Sequence, residues 1–349
     1  MVPVTEEKEL TMLSRLPIEY TERPIRLSDA EALARMFNED SRRLYGVDQH
    51  DAVHLETEWR TPGFDLGRDT RAVFAPSGEP AGYAEVWDID PPHVRLWSWG
   101  CVLPRERGRG IGSALLAWQE ERGRTALDKA PAGSRVSLRQ TVSSLDEPAG
   151  RLFESCGYAA IRHNYQMRIE LDSPVPPPMW PGGITVRAFD PARDLAPLVK
   201  MVRAAFRDHW GYVESPLESD LAVWRHIVTE ERDFDASLWF LAVHEGRIVG
   251  VALCSAKETE DPDLGFVNTL GVVREWRRKG IGISLLHHAF AELGRRGKRR
   301  VGLGVDGSSL TGAVRLYERA GMQIARRRIL YEKELRPGAD LTTQKLEEP

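Results

Sequence analysis

The sequence contains little cysteine. Its three cysteines, Cys101, Cys156 and Cys254, lie far apart and form neither a CxxC pair nor a cysteine and histidine cluster of metal-ligand spacing. This pattern excludes a disulfide-held secreted fold and a zinc-binding fold, and it suits a reducing compartment. We therefore expect no disulfide framework and no metal site.

The sequence also lacks long apolar runs and an excess of positive charge. No stretch approaches the roughly 18 consecutive apolar residues of a membrane-spanning helix, and residues 1–20 contain no uninterrupted apolar segment of a signal peptide. The formal net charge is −4, whereas a nucleic-acid backbone favours a clear excess of lysine and arginine. We expect a cytoplasmic protein that binds neither a membrane nor nucleic acid.

What the chain does contain is a repeated pattern. With 349 residues, it is longer than one typical domain of about 150 residues. The segment RERGRGIG at Arg105–Gly112 is matched by REWRRKGIG at Arg274–Gly282, and RLFESCGY at Arg151–Tyr158 is matched by RLYERAGM at Arg315–Met322. Because both pairs occur in the same order, they indicate a duplicated domain.

A proline-rich segment separates the two copies. LDSPVPPPMWPGG contains five prolines and two glycines, so neither a helix nor a central strand can continue through it. Strand-like and helix-like segments alternate in each copy, which predicts the α/β class, with a mixed sheet flanked by helices in each of two tandem domains. The predicted divisions are an N-terminal extension (1–22), a first domain (23–171), a linker (172–183), a second domain (184–337) and a C-terminal tail (338–349).

Each glycine-rich segment is predicted to join a strand to a helix. In the second copy the apolar run FVNTLGVV ends at Val273, and apolar residues of helical spacing begin near Ile281. The first N–H groups of a helix lack partners within it, and the helix dipole adds positive charge, so such a junction binds anions. Gly280 and Gly282 have no Cβ that would keep a ligand from the backbone. Charge suited to a diphosphate comes from Arg277, Arg278 and Lys279.

These motifs resemble those of a known family. LGVVREWRRKGIGISLL (Leu270–Leu286) and VGLGVDGSSLTGAVRLYERAGM (Val301–Met322) are similar to the acyl-CoA-binding motif and the following β–α element of the GCN5-related N-acetyltransferases, the GNAT family. The first half shows the same pattern in GCVLPRERGRGIGSALL and RLFESCGY. The resemblance implies a splayed sheet in each half, with the pantetheine arm of acetyl-CoA between the fourth and fifth strands and its pyrophosphate on the glycine turn.

The resemblance also implies which residues hold acetyl-CoA. In the second half, main-chain groups of Leu270 and Val272 would meet the thioester and the pantetheine arm. The pyrophosphate would lie on the turn formed by Arg277, Arg278, Lys279, Gly280, Ile281, Gly282 and Ile283. The matching positions of the first half are Gly100, Val102, Arg107, Gly108, Arg109, Gly110, Gly112 and Ser113.

The two halves differ at the position expected for a catalytic acid. Attack of an amine on a thioester needs a base for the nitrogen, a donor for the oxyanion and a proton for the leaving thiolate. Tyr317 stands where the family often keeps a tyrosine that protonates the sulfur, whereas the first half has Phe153. An aromatic residue on an apolar helix stripe is also common in a core. On the acid interpretation, the second domain is catalytic and the first is a structural or coenzyme-retaining partner.

A second difference lies in the expected acceptor pocket. HWG at His209–Gly211 answers LYG at Leu44–Gly46, so the first half has leucine in place of the histidine. An imidazole near neutral pKa suits a general base or a contact to the acceptor, with Trp210 beside it. The alternative is a loop histidine that caps a helix or pairs with Asp208.

The general base is left open. The family often has a glutamate on the fourth strand, where this sequence has Asn268, which we place on the acceptor side of the pocket. The acidic segment KETEDPDLG precedes that strand, and Glu260 within it is a candidate base; the alternative is a solvated loop. Leu310 stands where the family often has asparagine, so Ser308 or Ser309 is expected to cap the following helix.

Together these features predict an N-acetyltransferase. We expect its second domain to move an acetyl group from acetyl-CoA to a primary amine of a small molecule, in a monomer or a homodimer. The alternatives are a different acyl group, an active first half, and a non-catalytic acyl-CoA sensor or scaffold. The acceptor stays open, with antibiotic amines, polyamines and protein N-termini among the candidates.

Overall fold

The computed structural model describes residues 16–230, 234–256 and 261–345. These residues form two compact units. Within the described residues, the first unit runs to Ile161 and takes in Ile329–Leu341, and the second unit runs from Arg162 to Arg328 and continues from Thr342.

The first unit contains a mixed sheet in the order β1-β2-β3-β4-β5. Its strands are β1 (Thr21–Arg23), β2 (Thr70–Phe74), β3 (Pro80–Trp87), β4 (Arg95–Val102) and β5 (Val136–Ser143). Strands β1 to β4 are antiparallel, and β5 runs parallel to β4. The parallel pairing covers only Arg95–Trp97 against Ser137–Arg139, so β4 and β5 separate towards their C-terminal ends.

Helices cover this sheet. They are α1 (Ala30–Tyr45), α2 (Ala52–Trp59), α3 (Leu66–Asp69), α4 (Ile111–Arg124) and α5 (Glu147–Ser155). Helix α1 buries Leu33 and Phe37 in a cluster with Tyr83 of β3, and it ends at Gly46, whose φ of 74° is the left-handed conformation that favours glycine. The carboxylate of Asp146 accepts a hydrogen bond from the Ala149 N–H and so caps α5.

The second unit repeats this arrangement in the order β6-β11-β10-β9-β8-β7. Its strands are β6 (Ala159–Glu170), β7 (Ile184–Ala188), β8 (Trp239–His244), β9 (Arg247–Ser255), β10 (Leu264–Val272) and β11 (Arg300–Asp306). Strands β10 and β11 are parallel, and the other neighbours are antiparallel. The parallel pairing ends at Val267 and Leu303, beyond which the two strands separate.

The helices of the second unit are α6 (Pro191–Phe206), α7 (Leu217–Glu230), α8 (Ile281–Arg295) and α9 (Ala313–Arg319). The predicted apolar stripe of α8 is fully buried. Its members are Ile281, Leu285, Leu286, Ala289, Phe290 and Leu293. Because this face packs on the sheet, it fixes the direction in which the glycine turn before α8 points.

The last strand of each half lies in the unit formed by the other half. From Arg162 onward β6 belongs to the second unit, where Asn164–Glu170 pairs with Arg300–Asp306. The final strand β12 (Gln323–Arg336) enters the first unit at Ile329. The units therefore differ from the predicted limits at 171 and 337. A sequence repeat shows the order of the elements but not the sheet that the last strand of each copy joins. That strand can satisfy its backbone hydrogen bonds in the sheet of either copy.

The predicted α/β class and the two tandem domains of one mixed-sheet fold are confirmed. In the described part of the chain, no helix is long and apolar enough to cross a membrane. Residues 172–183 contain neither helix nor strand, and the Ser284 hydroxyl of α8 donates to the carbonyl of Met179 at 2.6 Å.

Candidate active site

A pocket of the second unit opens where β10 and β11 stop pairing. The register of β10 against β9 shifts between Val267 and Thr269, so Asn268 is the extra residue of a β-bulge. The pocket has a volume of about 150 Å³. Its polar and aromatic lining includes Phe206, His209, Trp210, Asn268, Asp306 and Tyr317.

The structure brings together the predicted acceptor and acid residues. His209, Trp210, Asn268 and Tyr317 come from three separate regions of the sequence and line this one pocket, as does Leu270. The candidate base Glu260 lies outside the described residues.

Tyr317 occupies the buried face of α9. The residue is 7% exposed, belongs to the apolar core and lines the pocket, so its core position and the predicted acid role are compatible. Burial raises the pKa of its phenol to about 12. Its hydroxyl has no hydrogen-bond partner among the residues that the structure describes, so the proton is not committed to another protein group.

His209 lies in the loop after α6. Its ring packs on Phe206 with the ring centroids 4.3 Å apart. Burial lowers the pKa of the imidazole, the charge of Arg277 lowers it further, and Asp208 and Asp306 oppose the shift. The alternative pairing with Asp208 is not formed, because that carboxylate accepts from Arg274 at 2.8 Å and from Arg277 at 2.6 Å. The imidazole is therefore kept neutral at pH 7.

Asn268 and Trp210, the other two predicted residues in the pocket, are held by side-chain contacts. The Asn268 amide donates to the Ser255 hydroxyl at 3.2 Å, and Asn268 itself is exposed to the pocket. The Trp210 indole N–H donates to Gln344 Oε1 at 2.9 Å. In the following loop, Ser309 accepts from the Ala313 N–H of α9 at 3.4 Å, so Ser309 is the serine that meets the helix start.

The two glycine turns have the same backbone conformation. In the second unit Arg278 and Gly280 have φ values of 62° and 90°, and in the first unit Gly108 and Gly110 have 78° and 83°. Helices α8 and α4 begin directly after Gly280 and Gly110, and neither has a side-chain cap. Each turn thus presents helix N–H groups that have no side-chain cap among the described residues, as an anion site requires.

The side chain of Arg277 is bonded to groups of the protein itself. Its guanidinium donates to the Val272 carbonyl at 3.1 Å, to Asp208 and to the Ala205 carbonyl at 2.8 Å. These bonds fix the turn against the end of α6. They engage the guanidinium that the sequence analysis assigned to the charge of a diphosphate. The cations left at the turn are Arg278 and Lys279, whose ammonium lies 4.4 Å from the centroid of the Trp276 ring.

The remaining turn residues of the second unit serve packing. A Cβ on Gly282 would stand 3.2 Å from Leu316 Cδ2 of α9, so this glycine lets α8 and α9 pack closely. Ile281 is buried, and Ile283 packs on the same core. Around Gly280, in contrast, a Cβ would meet no described atom within 4 Å, which leaves the backbone open to a ligand.

In the first unit an ion cluster crosses the gap between the separating strands. Arg107, after β4, donates to Asp146, before α5, at 3.0 Å and to Asp40 at 2.8 Å. Arg43 donates to Asp146 at 2.6 Å. Burial acts to raise the pKa of Asp146, but the bonds and charges of Arg107 and Arg43 outweigh it and hold the pKa below its usual value. The cluster is therefore ionised and binds the turn to the start of α5 at neutral pH.

The other first-unit residues predicted to hold coenzyme take part in internal contacts. The Val102 carbonyl accepts from Arg107 at 3.3 Å, and Arg109 pairs with Glu106 at 3.3 Å. A Cβ on Gly100 would lie 2.9 Å from the Tyr83 carbonyl, and one on Gly112 would lie 2.8 Å from Leu152 Cδ2. Ser113 is exposed on α4.

Sequence reasoning missed two carboxylates that define these sites. Asp306, at the end of β11, lines the second-unit pocket, where its carboxylate accepts from the Ser308 N–H at 2.9 Å. Asp146 occupies the first-unit gap. The available signal was their position: Asp306 ends β11 and Asp146 comes shortly after β5, and the C-terminal ends of strands that run parallel to a neighbour line ligand crevices.

A sheet that opens beside an uncapped helix start, with a buried phenol and a neutral imidazole in the opening, defines the class of α/β proteins in which titratable side chains line a strand gap next to a glycine turn. The family model described as the Acetyltransferase (GNAT) family matches residues 32–158 and residues 199–322. The chain belongs to this family and carries its domain twice.

Individual relatives agree with the family assignment. A mycothiol acetyltransferase of Thermobispora bispora is 34% identical over 246 residues, which cover 70% of this chain and 76% of that protein. A mycothiol acetyltransferase of Salinispora arenicola is 32% identical over 309 residues, covering 85% and 90%. The crystal structure of a GCN5-related N-acetyltransferase from Sphaerobacter thermophilus matches with a TM-score of 0.78 and 37% identity, covering 95% of this chain and 100% of that chain. The protein is thus an acetyltransferase, of a family that uses acetyl-CoA.

Proposed function

We propose that the second unit transfers an acetyl group from acetyl-CoA to a primary amine of a small molecule by direct attack. The observation that carries this proposal is the single pocket lined by His209, Asn268 and Tyr317 where β10 and β11 separate. An acid, a neutral base and a polar side chain are then all available on one side of the strand gap.

The turn before α8 fits the coenzyme. Acetyl-CoA supplies an acetyl group activated as a thioester. The open backbone at Gly280 and the unpartnered N–H groups at the helix start suit its diphosphate, and Arg278 and Lys279 add charge. The Leu270 main chain, which lines the pocket beyond the bulge, suits the thioester end.

The two titratable side chains divide the proton transfers. His209, with its lowered pKa, is neutral at pH 7 and accepts a proton from the attacking nitrogen. The new bond joins that nitrogen to the acetyl carbon, and the carbon–sulfur bond breaks. Tyr317 donates its phenol proton to the departing sulfur, so the products are an N-acetyl amine and the free thiol. Both side chains then return to their starting protonation by exchange with water.

The acidic residues near the pocket have subordinate parts in this proposal. Asp306 faces the imidazole and opposes the lowering of its pKa, so it stabilises His209 once the proton has been accepted. Glu260 stays a predicted base and lies outside the described residues.

We infer that the first unit supports the fold and does not catalyse the reaction. Phe153 has no proton to give, and it packs on Tyr158 and Tyr331 with ring centroids 5.0 Å and 5.3 Å apart. The Asp146 cluster lies in the gap that, in the second unit, forms the pocket. Opening this gap would leave buried charges without partners, which is costly.

The acceptor is the part of the proposal to be tested first. The relatives named mycothiol acetyltransferase make a mycothiol-type amine the leading candidate, followed by an antibiotic amine, a polyamine and a peptide N-terminus. The experiment measures thiol release from acetyl-CoA with each amine and identifies the product by mass spectrometry. We expect release to depend on amine concentration for one amine class and to yield its N-acetyl derivative. Binding of acetyl-CoA without thiol release for any amine would contradict the proposal.

A further inference from the structure

Arg162 joins the two walls of the second-unit pocket although it lies in the first half of the sequence. It belongs to β6, outside both ranges that match the family, and β6 pairs with β11 in the second unit. The residues of β6 are therefore part of the environment of the pocket even though they precede the linker.

One set of Arg162 contacts is with the β11 side of the pocket. Its Nη1 donates to Asp306 Oδ2 at 3.1 Å and to the Ser308 carbonyl at 3.0 Å. The arginine side chain is 13% exposed, so these charge-assisted bonds are partly shielded from water. They hold the loop between β11 and α9 and orient the pocket carboxylate.

The same guanidinium also holds the opposite wall. Its central carbon lies 4.3 Å from the centroid of the Trp210 ring, a cation–π geometry. Because Trp210 follows His209 directly, an arginine that stacks on the indole also restricts the loop that carries the imidazole. One side chain thus sets the separation between the Trp210 loop and Asp306.

The C-terminal segment provides a second support for the Trp210 loop. The Gly211 N–H donates to the Thr343 carbonyl at 2.7 Å, and the Thr343 N–H donates to the Tyr212 carbonyl at 2.9 Å. Gln344 accepts from the Trp210 indole at 2.9 Å. The indole is therefore fixed at its ring face by Arg162 and at its nitrogen by Gln344.

We propose that Arg162 is a positioning residue that sets the width of the acceptor side of the pocket, with Gln344 as the second support of Trp210. The expected effect on acceptor binding rests on the proposed function. Arg162 makes no contact with the turn at 277–283 among its described contacts, so its loss affects acceptor binding and not acetyl-CoA binding.

The kinetic test compares Arg162→Gln with Arg162→Lys in the full chain. Arg299→Gln is the matched control, because it removes the same charge from an exposed residue of the same unit whose side chain has no partner in the described residues. With the amine that gives most thiol release, we expect Arg162→Gln to raise the acceptor KM about tenfold and leave the acetyl-CoA Kd within twofold. Arg162→Lys keeps a cation over the indole ring, so we expect its acceptor KM to lie between those of the parent and of Arg162→Gln. An unchanged acceptor KM, or an equal loss of acetyl-CoA affinity, would overturn the proposal.

A second measurement needs no acceptor. Hydrogen–deuterium exchange of the full chain is compared for the parent, Arg162→Gln and Gln344→Ala. We expect faster exchange in peptides over residues 207–212 for both variants and over 306–310 for the arginine variant, with the turn at 277–283 unchanged. If exchange is faster but no amine gives thiol release, the positioning role is supported and the proposed function is overturned. Unchanged exchange in both loops, or faster exchange throughout the second unit, refutes the positioning role.

Discussion

Arg107 donates to both carboxylate oxygens of Asp146, and both N–O distances are 3.0 Å. The corresponding arginine of the second turn, Arg277, binds Asp208 instead, at the end of α6. Arg107 is thus anchored across the strand gap as well as on α1 through Asp40, whereas the described carboxylate contact of Arg277 is with Asp208, just after α6. This difference separates a gap crossed by ion pairs from a gap that forms a pocket, and it underlies the first prediction.

We predict that acetyl-CoA binds at one site per chain and that only the second glycine turn contributes to it. Gly280→Ala places a Cβ at a φ of 90° in open space beside the turn, and Gly110→Ala introduces similar strain at 83°. Both variants are expected to lose about 1–2 kcal/mol of stability. Isothermal titration should show one site in the parent and about tenfold weaker binding for Gly280→Ala alone. Two equivalent sites, or weaker binding in both variants, would contradict the assignment.

Loss of the Tyr317 hydroxyl should slow turnover without weakening coenzyme binding. A general acid contributes roughly 100-fold or more, so Tyr317→Phe is expected to lower kcat by about that factor while the acetyl-CoA Kd stays within twofold. Tyr165→Phe, a hydroxyl loss on β6 of the same unit, is the control. Because burial raises the pKa of Tyr317 to about 12, the acid form persists through pH 10. Equal kcat values for Tyr317→Phe and the control would remove Tyr317 from the mechanism.

The acid side of the pH profile should report His209. Burial and the nearby Arg277 charge lower its pKa from the ordinary value of 6.5, so the neutral, proton-accepting form prevails above that pH. We expect kcat/KM to fall as the pH drops through this lowered pKa and the imidazole becomes charged. His209→Gln should remove that limb and reduce kcat/KM by roughly 100-fold. His226→Gln, on α7, serves as the control. A limb that survives in His209→Gln would assign the base to another group.

The exchanged final strand predicts that a substitution near the C-terminus destabilises the first unit. Arg139 of β5 is 2% exposed at its side chain and donates to Glu332 of β12 at 2.6 Å. Glu332→Gln removes the carboxylate charge that this buried arginine binds and is expected to cost about 3 kcal/mol, measured by denaturant unfolding. Glu334→Gln, whose carboxylate is 46% exposed, should cost less than about 1 kcal/mol.

The same pair sets a pH dependence. Burial acts to raise the pKa of Glu332, but the bond from Arg135 and the charge of Arg139 outweigh it, so the folded-state pKa is lowered. Its stabilising contribution is therefore present above roughly pH 4 and is lost as the pH falls through the folded-state pKa. The stability gap between the parent and Glu332→Gln should narrow over that range. A gap that stays constant below pH 4 would show that ionisation of Glu332 is not its cause.

Local features of this protein follow from its sequence alone. The glycines at 108, 110 and 280 dictate left-handed backbone, the apolar period of α8 dictates its buried face, and the repeated motifs dictate two copies of one fold. These properties depend on neighbouring residues and on burial of one face, which a short stretch of sequence already encodes. The asymmetry between Tyr317 and Phe153 is likewise visible without coordinates.

The tertiary structure alone decided which long side chains meet. Arg107 and Arg277 stand in nearly identical local sequence, and each binds a carboxylate 67 or 69 residues earlier, Asp40 or Asp208, but Arg107 also binds Asp146, 39 residues later. Arg162 and Gln344 reach the Trp210 loop only because β6 and the C-terminal segment pack there. A flexible charged side chain binds whichever partner the packed elements bring within reach, and that choice depends on the whole fold rather than on the residue's neighbours in sequence.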